Sequence, residues 1–193
     1  SEKQGNDTIS VNNTIKLGFF GQFRKEKNID RFIDAFVSLH YDNSVQLVVQ
    51  GATVKPEDGE LFESIIKKYS KYSNIKFIHA SLIGKDWDAA LMSVDALLLP
   101  YGAERYRYHW AAMLFTAIGF YKPVLISPEI NPEVLEKYSI GEVLNLDDVN
   151  TIAQGISKFV GNLQHNKEIY NQGLVDANND YSHKKLIQSV IHV

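Results

Sequence analysis

The apolar positions fall into short continuous runs, each followed by a stretch with helical spacing. Ile15–Phe20 is the first run, and Ile29, Phe32, Ile33 and Phe36 then recur at intervals of three and four, with Asn28 placed as an N-cap. Val45–Gln50 is the second run, closed by Gly51, and Leu61, Ile65 and Tyr69 mark a helix entered through Pro56. The remaining strands are expected at Ile75–His79, Ala96–Leu99, Pro123–Ser127 and Glu142–Leu146. Between them lie a short helix at Trp87–Met92, a buried helix from about Tyr108 to Phe120, and a turn or two of helix at Pro132–Tyr138. Ile152, Ile156, Phe159, Val160 and Leu163 form one more helical face, and two further helices are expected from about Asn166 and about Ser182. Continuous apolar strands alternating with helices imply a parallel sheet buried on both faces. The expected fold is α/β, a Rossmann-like doubly wound parallel sheet of about six strands with helices on both faces.

Residues 1–14 are polar and aperiodic, and read as a tail or interdomain linker ahead of a domain spanning 15–193. In a doubly wound sheet, ligands bind outside the carboxyl ends of the strands. The loops to examine are therefore Gly21–Asn28, Gly51–Pro56, His79–Lys85, Pro100–Tyr108 and Ser127–Pro132.

Composition narrows the classes. The 193 residues suit one domain, and 45% hydrophobic residues suffice for a core. A net charge of −3 argues against broad nucleic-acid binding, which needs a basic excess. With no cysteine, disulfides and thiolate metal sites are excluded. His40, His165, His183 and His192 are not spaced with acidic partners as metal ligands, so no metal site is expected. No apolar run approaches the ~18 residues of a membrane span, and no signal peptide is visible. A cytoplasmic soluble domain is the expectation.

Two loops carry chemistry. Gly21, Gln22, Arg24, Lys25 and Lys27 precede a helix start, where free N–H groups and partial positive charge attract anions. Gly21 lets the backbone turn tightly, Lys27 can reach a diphosphate, and Arg24 can grip two oxygens. Loop cations are also commonly just solvated. The segment is neither a G-x-G-x-x-G fingerprint nor a Walker loop. The second loop, PYGAERYRYHW from Pro100 to Trp110, gathers Tyr101, Glu104, Arg105, His109 and Trp110, groups suited to a sugar or a base; a surface loop or packing under the sheet is the alternative. His79 ends a strand at the same edge, where a lone histidine is more often structural. There is no G-x-S-x-G elbow, and the pairs Asp147–Asp148 and Glu57–Asp58 sit at helix starts, where capping accounts for them.

The segments FFGQFRKEKNIDRFIDAF, VQLVVQG, VDALLLPY and YKPVLIS with KYSIGEVLNLDDVNTIAQGI resemble, in order and spacing over about residues 15–163, the C-terminal donor-binding domain of GT-B fold glycosyltransferases of the group 1 type. The resemblance implies a donor-diphosphate lysine at Lys27, with Arg24 standing in for the arginine that the family often has where Gln22 lies. The family's two glutamates separated by seven residues fall here on Tyr108 and Thr116. A subgroup's Ser-Gly slot falls on Ala111–Ala112, whose helix start can bind phosphate through backbone N–H groups. Leu82 and Ile83 would flank the base, and Gly51 and Thr116 would border the donor. The implied function is transfer of a sugar from a nucleoside diphosphate sugar to a glycan or lipid-linked acceptor in polysaccharide biosynthesis. The implied partners are the nucleotide sugar and a missing N-terminal acceptor-binding domain, with peripheral membrane association of the parent at the cytoplasmic face and no cofactor beyond the donor. On this reading the isolated domain is inactive. The alternatives are a non-catalytic, degenerate transferase domain used for ligand or protein binding, and a sugar-nucleotide 2-epimerase sharing the two-domain fold.

Overall fold

The computed structural model describes residues 14–102 and 111–182. Six strands form one sheet: β1 Ile15–Phe19, β2 Val45–Gly51, β3 Ile75–His79, β4 Ala96–Leu99, β5 Val124–Ile126 and β6 Gly141–Val143. Among the described residues, seven α-helices connect and cover them: α1 Ile29–Ser38, α2 Pro56–Tyr69, α3 Gly84–Met92, α4 Ala112–Gly119, α5 Pro132–Lys137, α6 Val149–His165 and α7 Asn171–Tyr181. The spatial order is β3-β2-β1-β4-β5-β6, with every pairing parallel. This is the Rossmann order, and the chain reverses direction across the sheet between β1 and β4.

Burial follows position in the sheet. Every residue of central strands β4 and β5 is buried, as a strand covered on both faces requires, while the edge strands β3 and β6 are mostly half-exposed. Each fully buried Leu, Val or Phe in these strands adds about 1.5–3 kcal/mol relative to its exposed state. Helix α1 packs on α6 and α4 on α7, and Arg31 of α1 donates to the Leu146 and Asp147 carbonyls at 3.0 Å just before α6 begins.

Boundaries differ from the expectation where side chains divert the backbone. Strand β6 ends at Val143 because the Asn145 side chain accepts from the Asp147 N–H at 2.8 Å and turns the chain out of the ladder. A 3-10 turn at Lys167–Tyr170 replaces the expected helix from Asn166, and α7 starts only at Asn171. The expected helix from about Ser182 lies outside the described residues from 183 onward, as does the part of the buried helix between Tyr108 and Trp110. Asp148 does cap α6, accepting from the Thr151 N–H at 2.8 Å. That bond holds its carboxyl below the usual range.

Candidate functional site

The site grows from the loop after β1. Gly21 follows the strand with φ +119°, a region that glycine enters freely and L side chains rarely do. The loop is then tied back to the end of β2: the Ala52 N–H donates to Gly21 O at 3.0 Å and the Phe23 N–H to Ala52 O at 2.8 Å. A single 3-10 turn, Lys25–Lys27, follows and hands over to α1 through Asn28 at φ 57°. Asn28 is the N-cap residue of α1, as expected, its carbonyl accepting from the Phe32 N–H at 3.0 Å. Its side chain does not cap the helix: Nδ2 donates to the Pro100 carbonyl at the end of β4, 3.2 Å away. The Gly102 N–H donates to Glu26 O at 3.0 Å. The loops after β1 and β4 are thus stitched together across the point where the strand order reverses.

That stitching turns Lys27 inward. The residue is only 7% exposed. Its Nζ lies 4.8 Å from the Tyr101 ring centroid and 5.9 Å from that of Phe19, so ring faces contribute part of its electrostatic surroundings. A methyl group placed on Gly21 would sit 3.7 Å from this Nζ and 3.9 Å from Met113 at the start of α4. A buried ammonium, a glycine backbone and the Met113 side chain from the first turn of α4 therefore converge. The other cations of the loop point elsewhere. Arg24 and Lys25 line an open cleft of about 450 Å³ toward the loop after β2, together with Gln22, Lys55 and Glu57. There Arg24 donates to Gln22 Oε1 at 3.1 Å and approaches Glu26 to 4.0 Å.

The remaining predicted positions separate by role. Tyr101 is buried beneath Lys27, and its carbonyl accepts from Ser127 Oγ at 2.6 Å. Gly51 is fixed by packing: a Cβ there would meet Phe62 at 2.8 Å and Phe23 at 3.0 Å. The Ala111 N–H, at the start of α4, donates to the buried Asn131 Oδ1 at 3.1 Å, and Ala112 is exposed. Thr116 bonds its own helix, its Oγ1 donating to Ala112 O at 3.0 Å. Leu82 is half-buried and Ile83 is 80% exposed just beyond the carboxyl end of β3, leaving an apolar shelf at the ligand edge. Glu104, Arg105, His109 and Trp110 lie outside the described residues. His79 has a structural setting. Its Nε2 is 2.9 Å from Thr53 Oγ1, its Nδ1 meets Glu63, and its ring stands edge-on to Phe62.

Gln50 was not anticipated as part of the site. It is 1% exposed, accepts from the Gly21 N–H at 2.8 Å and donates to the Ala80 carbonyl at 2.6 Å. The signal was available: an amide at the carboxyl end of the strand, directly before the closing glycine and buried where Gln46 of the same strand is not.

Among the described residues, no three His, Cys, Asp or Glu side chains come together as a metal site. Among them, too, no helix is long and apolar enough to cross a membrane.

Replacing Gly21 by alanine tests the backbone requirement. The space is adequate, but φ +119° is not, so a loss of about 1–3 kcal/mol is expected in urea unfolding. A loss below about 0.5 kcal/mol would mean that the loop relaxes without cost.

The molecule is thus an α/β domain with a Rossmann-order sheet and a buried cation at its switch point. The sequence pattern of the family described as Glycosyl transferases group 1 matches residues 2–175, and the chain belongs to that family. No individually curated protein matches it. Among solved structures, the fold is similar to the C-terminal domain of a group 1 family protein, LpcC, from Francisella tularensis, at TM-score 0.67 and 18% identity, covering 86% of this chain and 85% of that one. It is also similar to HepE of Anabaena, solved in complex with UDP and glucose, at TM-score 0.73 and 15% identity, covering 93% of this chain and 48% of HepE. A glycosyltransferase from Rickettsia africae matches at TM-score 0.72 and 13% identity, over 93% and 47%. The chain thus spans about half the length of the latter two proteins.

Proposed function

We propose that this chain is the nucleotide-sugar donor-binding half of a two-domain glycosyltransferase, and that its crevice at the switch point holds the donor diphosphate. The observation carrying this reading is the Lys27 ammonium, buried beside Gly21 and the start of α4 at the carboxyl edge of the sheet. An ammonium in such a low-dielectric setting interacts strongly with an anion. The group it would serve is a leaving diphosphate, whose charge grows as the bond to the sugar breaks. Lys27 would neutralise that charge, which is electrostatic catalysis. The first N–H groups of α4 beyond Ala111 would add donors. Arg24, on the outer side of the loop, would take part by reaching around Gln22. Leu82 and Ile83 would offer the apolar shelf for the base. The donor is the substrate, and the residues described here need no cofactor or metal to hold it. The acceptor, a glycan or a lipid-linked sugar, would enter from a separate N-terminal domain, and the parent would act at the cytoplasmic face of the membrane.

The test is titration of UDP and GDP against the chain by calorimetry. Saturable binding of at least one is expected. Absence of binding by either nucleotide at low salt would overturn the reading. A second reading, a ligand-binding domain without transferase activity, is favoured by one feature: the Thr116 hydroxyl is engaged by its own helix, at a position where the family carries a glutamate. Sugar transfer by the parent protein would eliminate it.

A further inference from the structure

We propose that Gln50 is a positioning residue that sets the spacing between the phosphate-binding and base-binding parts of the site. This inference rests on the donor-binding reading above and goes beyond it. The residue is buried to 1% exposure at the carboxyl end of β2, the strand that lies between β1 and β3. One end of its amide reaches each neighbour's loop: Oε1 accepts from the Gly21 N–H at 2.8 Å, and Nε2 donates to the Ala80 carbonyl at 2.6 Å. The orientation of the amide is dictated, because a backbone N–H only donates and a carbonyl only accepts.

A charged side chain does not do the same. A carboxylate would face the Ala80 carbonyl with a second acceptor, and an ammonium would face the Gly21 N–H with a donor. An amide supplies one acceptor and one donor on a rigid plane, and glutamine is the longer of the two amides. Gly21 lies in the loop that holds Lys27, and Ala80 lies two residues before Leu82 in the loop after β3. The two loops belong to strands that are not neighbours, since β2 separates them. Backbone bonds join the β1 loop to Ala52 on the β2 side, and His79 is joined to Thr53. Gln50 bonds both outer loops at once.

Such a bridge has a specific consequence. A ligand engaging both loops benefits from having them held at a fixed separation, whereas a ligand engaging only one does not. The experiment measures three affinities on the full chain well below its melting temperature: whichever of UDP or GDP binds tighter, the matching nucleoside, and inorganic pyrophosphate. Gln50→Met keeps the length and loses both hydrogen bonds. Gln50→Asn keeps the amide but, one methylene shorter, spans to one loop at most. The expected result is a roughly tenfold weaker nucleoside diphosphate with Gln50→Met, and less than about a twofold change for nucleoside or pyrophosphate alone. Gln50→Asn, should the methionine variant fail to fold, is expected to show the same selective loss to a smaller degree.

A purely structural role predicts a lower melting temperature with unchanged affinities, or equal weakening of all three ligands. Either outcome overturns the inference while leaving the donor reading standing. Failure of the unaltered chain to bind any nucleotide overturns both.

Discussion

Lys27→Ala is expected to weaken nucleoside diphosphate binding by roughly ten- to a hundredfold, the largest functional effect of any single substitution in the described residues. The magnitude follows from what is removed. A hydrogen bond between an ammonium and a phosphate oxygen is worth about 1.5–3 kcal/mol net, and each 1.4 kcal/mol is a factor of ten. Burial to 7% exposure keeps this ion pair from being screened as a surface pair would be. Truncation also empties the buried slot that the lysine side chain occupies, whose ammonium end lies near the Phe19 and Tyr101 rings. Lys27→Met refills most of that slot without the charge, so it separates the two contributions. The methionine variant is expected to melt near the parent and to bind the nucleotide as poorly as the alanine variant. In the two-domain parent, the loss on turnover should exceed the loss on binding, since charge on the leaving diphosphate peaks in the transition state. Calorimetric titration of UDP and GDP decides the first claim. Equal binding by parent and variant would remove Lys27 from the site.

The parts of this molecule that follow from periodicity were legible in the chain. β1, β2, β3, β4 and β5 appear within one or two residues of their expected places, because a strand buried on both faces must be apolar throughout, and such a run stands out. The loops at the carboxyl edge were legible for the same reason: once the strands are placed in parallel order, topology places the site. What was not legible depends on single side-chain bonds. Asn28 reads as a helix cap and does hold the N-cap position of α1, but its side chain bonds Pro100, 72 residues away. Gln50 reads as the last residue of a strand, yet it joins two loops. The basic run Arg24, Lys25, Lys27 reads as one charge cluster, but the 3-10 turn sends Lys27 into the sheet edge and leaves Arg24 and Lys25 on the outer cleft. A turn of three residues per revolution is too short to leave a periodic signature. The side-chain placements of Asn28, Gln50 and Lys27 are set by tertiary contacts, so local pattern is silent about them.

Phe62→Ala is expected to cost about 3–5 kcal/mol, the largest stability loss we predict, and a substantial part of the about 5–15 kcal/mol that holds a typical domain together. Phe62 is fully buried on α2. It stacks on Phe23 at 4.7 Å between centroids and 21° between planes, and meets Phe77 and His79 edge-on at 6.4 and 4.9 Å. Gly51 approaches so closely that a Cβ there would lie 2.8 Å from the ring. Three rings and a backbone surround this one side chain, so little can collapse into the space it leaves, and the cavity persists. Phe23 belongs to the loop that carries Gly21 and Lys27, and it loses its stacking partner in the variant. Nucleotide affinity should therefore fall together with stability. Phe159→Ala is the matched control: it is equally buried, but it packs on Tyr170 at 5.9 Å, far along the chain from the loop. Urea unfolding followed by tryptophan fluorescence measures both losses, and titration well below each midpoint measures affinity. Comparable destabilisation by both variants, with weakened binding only in Phe62→Ala, is the expected result. A Phe62→Ala loss below about 1 kcal/mol would mean that the packing beneath the loop readjusts. Equal loss of affinity in both variants would mean that the site responds to global stability rather than to the stack that supports it.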